Sequence, residues 1–482
     1  MQKLKKIMSS AEEAFLKVLR FFGSRDLLRN EPRLRMGANH EKLFRKWGVL
    51  PDESAKSLQV LLTAGMGYGN VGDEAQMGAS IGRWKRLLPS ADICVLSPNP
   101  DYTESTLKVD SAWSPRVVWF SSNTSGVYFQ GGLRFKIGFW WVWFRQTLSA
   151  RCLRAGIPLN LCDGAELSLL NRIRNADVLH ISGGGYLTGM TRSRLWENAL
   201  LMRICQLVGT PYILTGHTVG VFKSPMDRRL ARLALSRAQY IYLRDQGISE
   251  GDLAAVGIQG DHVKSTFDDA VFFESLDKPT TQSLLVKNGI DPEKPFAIAN
   301  FHYWGQSPEK KSRSSKRFAE LSDVLVAKYG MQVLFVPMTP SDENAEDDVI
   351  GLMVESANRL DYQYDYREAR AVYQMATMVF TMKHHPIIFG YGEGVPVMSI
   401  ALDDYYYHKN KGAMDNCDQG HYCLNVDRFY SEQAEEVLGE FFDSFDANRV
   451  IIKKWLKSAL PLEAEALELF LRARTNSPTS PN

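Results

Sequence analysis

The sequence predicts an α/β protein built from two Rossmann-like, doubly wound domains that face each other across a cleft. Short apolar or β-branched runs alternate with helical patterns along most of the chain, the rhythm of βαβ units and parallel sheets. That rhythm comes in two series, separated by a Lys-, Pro- and Thr-containing linker around 274–294. Glycines or polar residues follow most of the apolar runs, where ligands gather beyond the carboxyl ends of parallel strands.

The first series opens with LQVLLTA at 58–64 and continues with ADICVLSP at 91–98. ADVLHIS at 176–182 is expected to end as a strand where Gly183-Gly184-Gly185 begins. PYILTGHTVG (211–220) and QYIYLRD (239–245) flank a helical pattern, RRLARLALSRA, at 228–238. The second series runs through PFAIANFHYW (295–304), QVLFVPM (332–338), MVFTM (378–382) and VPVMSI (395–400). The expected organisation is therefore a basic extension over 1–50, an N-terminal Rossmann-like domain over 55–275 and a C-terminal one over 290–430. Helices follow over 431–472, and the polar, Pro-containing end at 473–482 reads as a disordered tail. No internal repeat is apparent.

Composition bounds the class. With 45% apolar and 23% charged residues over 482 positions, the chain is an ordinary globular one with ample core. A net charge of +2 gives no reason to expect nucleic acid. Six widely spaced cysteines suit a reducing compartment rather than a disulfide framework. The start lacks the apolar core of a secretory signal, and no run is long and apolar enough to span a bilayer, so the expected location is cytoplasmic. Charge is uneven, however: residues 1–50 carry twelve Lys and Arg against five Asp and Glu. Ala14, Phe15, Val18, Leu19 and Phe22 fall at helical spacing with Lys17 and Arg20 between them, and an aromatic run, FWWVWF, occupies 139–144. Both features have an ordinary packing explanation. Both also suit peripheral contact with the inner face of a membrane.

The strand ends carry the candidate chemistry. GMGYGNVGDEA at 65–75 lacks the Gly-Lys-Ser/Thr ending of a P-loop, and counted from Gly65 the spacing G-x-G-x-x-G fails at Asn70. Beyond later strands come Gly184 and Gly185, then His217, then Arg244-Asp245, then Lys383-His384-His385-Pro386. Arg244 and Asp245 suit either a helix-capping pair or a ligand contact. Proline favours the first helical turn, which places His385 at a helix cap with free N–H groups beyond it, an anion-binding terminus. Neither His384 nor His385 has a metal-ligand spacing, and His421 between Cys417 and Cys423 has none either, so no metal is expected.

In order and spacing these segments resemble the polysaccharide pyruvyl transferase family over about residues 58–415. GYGNVGDEA (67–75) resembles its opening turn and ISGGGYL (181–187) its glycine run. GHTVGVF (216–222), IYLRDQGISEGDLAAVGI (241–258) and FDDAVFF (267–273) resemble its arginine and paired-acid segments. TMKHHPIIFGYGEGVPVMSIALDDYYYHKNKGAM (381–414) resembles its closing segment. There the family's arginine falls on Lys383, the variable position on His384 and its histidine on His385. The exchange keeps the positive charge and loses the bidentate fork.

The resemblance implies a GT-B-like layout and transfer of pyruvate from phosphoenolpyruvate to a saccharide as a ketal, in exopolysaccharide or cell-wall glycan biosynthesis. It implies no cofactor beyond the donor substrate. Residue types then suggest roles. Arg244, Lys383 and His384, with Gly184 and Gly185, would bind the doubly anionic donor. His385, and after it His217, would protonate the enol carbon. Asp73 would orient or deprotonate an acceptor hydroxyl, with Gly69, Asn70 and Gly72 shaping the acceptor side. The basic start and the aromatic run suit an acceptor carried on a lipid. Two other readings stay open: a GT-B glycosyltransferase using a nucleotide sugar, with Asp403 and Asp404 placed to hold a ribose, and a catalytically inactive sugar-binding relative.

Overall fold

A computed structural model describes residues 57–120, 133–157, 161–303 and 305–475. The basic extension over 1–50 lies outside the described residues, as do positions 476–482. The final helix, Glu465–Thr475, runs into the stretch read as a tail.

Two parallel sheets form the frame. The first contains β1 (Gln59–Thr63), β2 (Asp92–Ser97), β3 (Asp110–Trp113), β4 (Val178–Thr188), β5 (Tyr212–Gly220), β6 (Ile241–Leu243) and β7 (Val263–Ser265), ordered β3-β2-β1-β4-β5-β6-β7. The second contains β8 (Phe296–Asn300), β9 (Gln332–Phe335), β10 (Asn358–Arg359), β11 (Met378–Thr381), β12 (Val397–Ile400) and β13 (Cys423–Leu424), ordered β10-β9-β8-β11-β12-β13. Both are doubly wound, and each reverses direction between its first and fourth strands. The central strands are buried on both faces, as β8 with five buried residues illustrates, and so they read as continuous apolar runs.

One expected boundary moves. β4 does not stop at Ser182 but continues through Gly183–Gly185, and β5 continues through Gly216 and His217. The two strands stay paired, with Gly184 opposite His217 and an irregularity before the Leu187–Val219 pair. Gly183 (φ +39°) and Gly184 (φ +136°) take up that irregularity, and side chains there would run into Gln76 and Tyr186.

The aromatic run lies in the helix Leu133–Ala155. Phe139 and Trp143 are buried, whereas Trp141 and Phe144 are exposed. Among the described residues no helix is long and apolar enough to cross a membrane. All six cysteines are free.

Candidate functional site

The two points where the sheets reverse open onto one cleft. From the first comes the helix α1 (Val71–Leu87), capped by Asn70, whose side chain accepts from the Gly72 amide at 3.1 Å. Glu74, in the first turn, reaches back to accept from the Gly67 amide at 2.9 Å and so holds the glycine turn closed. Counted from Gly67 rather than Gly65, the turn does carry the spacing G-x-G-x-x-G, ending at Gly72. Yet the place a pyrophosphate would take is filled. A side chain at Gly72 would run into the His385 imidazole, and Asp73 and Glu74 put carboxylates in the same turn.

From the second reversal comes α2 (His384–Gly392), with Lys383 at its N-cap. The helix starts two residues before the start inferred from Pro386, so His384 and His385 both lie in its first turn. Their rings are 5.4 Å apart and 72° to one another.

The centre of the cleft is a carboxylate that residue-type reasoning did not single out. Asp268 Oδ2 accepts from Arg244 Nη1 at 2.6 Å and from Gln76 Nε2 at 2.7 Å, and lies 3.4 Å from His384 Nε2. Burial alone would raise this carboxyl, but Arg244 and the two histidines hold it well below the ordinary carboxylate range. Asp269 beside it ties Arg83, Ser182, Thr215 and the Gly183 amide together. The acids of FDDAVFF thus anchor both the arginine and the glycine run.

Arg244 does not pair with its neighbour. Asp245 instead braces the first turn of the following helix, accepting from the Ser249 amide at 2.8 Å and from its hydroxyl.

Around Asp268, five buried polar atoms have no hydrogen-bond partner: Gln76 Oε1, His217 Nδ1, Arg244 Nη2, His384 Nδ1 and His385 Nε2. Buried polar groups are paired as a rule, so such a concentration marks a place for a polar ligand. Arg244 Nη2 would lie 3.0 Å from a Cβ built on Gly185, with Tyr405 Oη and Lys409 Cε at 2.8 and 3.6 Å. A side chain at Gly185 would fill that space.

Lys409 is the second cation here, on the helix α3 (Asp404–Asp415). Burial, then the Arg244 charge, pulls its ammonium down to about 7. Lys383 points elsewhere, into an ion pair with Asp342 beyond β9. The structure therefore groups Arg244, His384, His385, Gly184 and Gly185 with Lys409, while Lys383 has its own partner. Sequence reading passed over Lys409 because three tyrosines and a second lysine surround it. Its one signal is the helical spacing from Tyr405, which puts both on one face.

The remaining candidates lie close by. Asp73 is part-buried beside Tyr186, and burial raises its carboxyl despite Lys409 and Arg244. His217 is fully buried, its Nε2 donating to the Ile181 carbonyl at 3.1 Å and the Tyr186 ring standing edge-on at 5.3 Å. Burial lowers His217 to about 4 and His385 to about 3, so both are neutral near pH 7. Asp403 caps α3 by accepting from the Tyr406 amide at 2.8 Å, and Asp404 is exposed. Among the described residues no three His, Cys, Asp or Glu side chains converge as a metal ion would require.

Comparison with known proteins fits this frame. A family model described as polysaccharide pyruvyl transferase matches residues 70–404. No curated protein matches the chain. Among solved structures, the UDP-GlcNAc 2-epimerase from Neisseria meningitidis bound to UDP-GlcNAc is 12% identical, with a TM-score of 0.51 over 86% of this chain and 100% of that one. The S. aureus MnaA–UDP complex is 10% identical, with a TM-score of 0.53 over 88% and 99%. At such identities the likeness is one of fold: two facing parallel sheets of GT-B type.

Proposed function

The chain belongs to the polysaccharide pyruvyl transferase family, and on that premise we propose that it moves pyruvate from phosphoenolpyruvate to a saccharide as a ketal. The observation that carries this reading is the meeting of Arg244 Nη2 and Lys409 beside Gly185. Phosphoenolpyruvate has a carboxylate and a phosphate, and this place offers the unpartnered Nη2 of a guanidinium and the point charge of an ammonium.

In the proposed reaction the methylene carbon takes a proton while one sugar hydroxyl oxygen bonds to the adjacent carbon. A second hydroxyl oxygen then displaces phosphate. Of the two hydroxyl protons released, one balances the new methyl C–H and the other leaves with phosphate. His385 supplies the carbon-bound proton. It is neutral in the free protein, and the negative charges of a bound donor shift it upward, toward the protonated form. Asp73 receives a hydroxyl proton, its raised carboxyl suiting it to that exchange. A lipid-carried acceptor in glycan assembly at the cytoplasmic face of a membrane remains part of the proposal.

Calorimetry with phosphoenolpyruvate, UDP-glucose and GDP-mannose tests the reading. Binding of phosphoenolpyruvate that disappears in Arg244→Ala supports it. Binding of a nucleotide sugar alone replaces it with glycosyl transfer.

A further inference from the structure

Beyond the cations the cleft continues as a row of rings. α3 begins with Tyr405 and Tyr406, both half-buried. The Tyr405 hydroxyl donates to the Gly185 carbonyl at 3.3 Å, and the Lys409 ammonium lies 5.9 Å from the Tyr405 ring centre. The Tyr406 ring is 5.5 Å from that of Tyr405 and 5.0 Å from the buried His302 imidazole. The helix that carries them is fixed: Asp403 caps it, and Asn410 Nδ2 donates to Ser399 Oγ at 3.0 Å and to the Met382 carbonyl at 3.3 Å. The Tyr405 hydroxyl also lies with Arg244 Nη2 and Lys409 around Gly185, which places the start of the helix beside the two cations.

We propose that Tyr406 forms the wall on which a pyranose ring of the acceptor stacks, with the Tyr405 ring nearly perpendicular beside it at 76°, turning the sugar's hydroxyl edge toward Asp73 and the donor. The C–H face of a pyranose is weakly positive and meets the negative face of an aromatic ring. Rings already held by an imidazole and by each other lose little freedom when a sugar settles on them. Hydroxyls at the rim of the sugar are left for Asp73, a polar group beside an apolar wall, as small-ligand sites are built. This inference rests on the proposed function only for the ligand being a saccharide. A rival ring exists: Tyr68, 57% exposed, is carried between Gly67 and Gly69 in the turn that leads into α1.

The test is saturation-transfer NMR on the full chain with methyl β-galactoside, methyl α-mannoside and N-acetylmannosamine, with phosphoenolpyruvate calorimetry on the same samples. The expected result is transfer to the ring C–H protons of at least one sugar, with affinity about tenfold weaker in Tyr406→Leu, which keeps apolar bulk without a ring. Tyr406→Phe retains binding, phosphoenolpyruvate affinity is unchanged in both variants, and Tyr68→Leu has no effect. Should the leucine variant not fold, Tyr406→Trp takes its place, and its larger face tightens binding. Sugar binding that ignores position 406, that is lost in Tyr68→Leu instead, or that is absent from the unaltered protein overturns the proposal. Sugar binding that depends on Tyr406 without any phosphoenolpyruvate binding leaves the wall standing and removes the pyruvyl donor.

Discussion

Lys409 carries a charge that depends on pH within the ordinary working range, because burial and the neighbouring Arg244 draw its ammonium to about 7. An anion bound there favours the protonated form, so phosphoenolpyruvate affinity should fall as pH rises through that value. Well above it the loss approaches about tenfold per pH unit. Calorimetry across pH 6 to 9 should show the decline, and Lys409→Arg, which stays charged, should flatten it. A profile identical in the two proteins would remove Lys409 from donor binding. Asp268 makes the complementary case. Asp268→Asn leaves Arg244 buried without its counter-charge, a change that costs about 3–5 kcal/mol in comparable buried pairs. A markedly lower thermal midpoint is expected, and an unchanged one would show that the Arg244–Asp268 pair contributes little to stability. None of this was legible at single positions. Asp268 and Lys409 lie 141 positions apart (409 − 268) and become neighbours only when two sheets face each other.

At the scale of elements the sequence says more. Every long central strand announced itself as a buried apolar run, because parallel strands covered on both faces have no polar side to show. The edge strands β3, β7, β10 and β13 did not. At two to four residues each they are too short for a periodic pattern, and polar residues such as Asp110, Ser111, Lys264 and Asn358 sit in them. The glycine run misled for the opposite reason. Glycine usually closes a strand, but here it lets β4 bend past Gln76 and keep its pairing with β5. The start of α1 was the best-marked boundary, with Asn70 as its cap. Asn70→Ala should cost about 1 kcal/mol of stability, measured by chemical denaturation. A neutral result would mean that the Glu74 link to Gly67 alone holds the turn.

At the scale of the molecule, the two sheets are tied at several points around the cleft. The Val71 amide donates to the Met338 carbonyl at 3.0 Å, Arg370 donates to the carbonyls of Ala270 and Val271, and Asn416 donates to the Arg244 carbonyl. Stitching of this kind predicts one cooperative unfolding transition for both sheets. Calorimetric scans that resolve two transitions would contradict it. The tightest tie is the meeting of Gly72 with the His385 ring, where Gly72→Ala should overpack the joint by about 1–3 kcal/mol. A methyl group at 72 and the imidazole at 385 compete for the same space, so the two substitutions should be epistatic, Gly72→Ala costing less once 385 carries a small side chain. What one sheet may carry at its first helical turn is thus set by what the other sheet carries at its own.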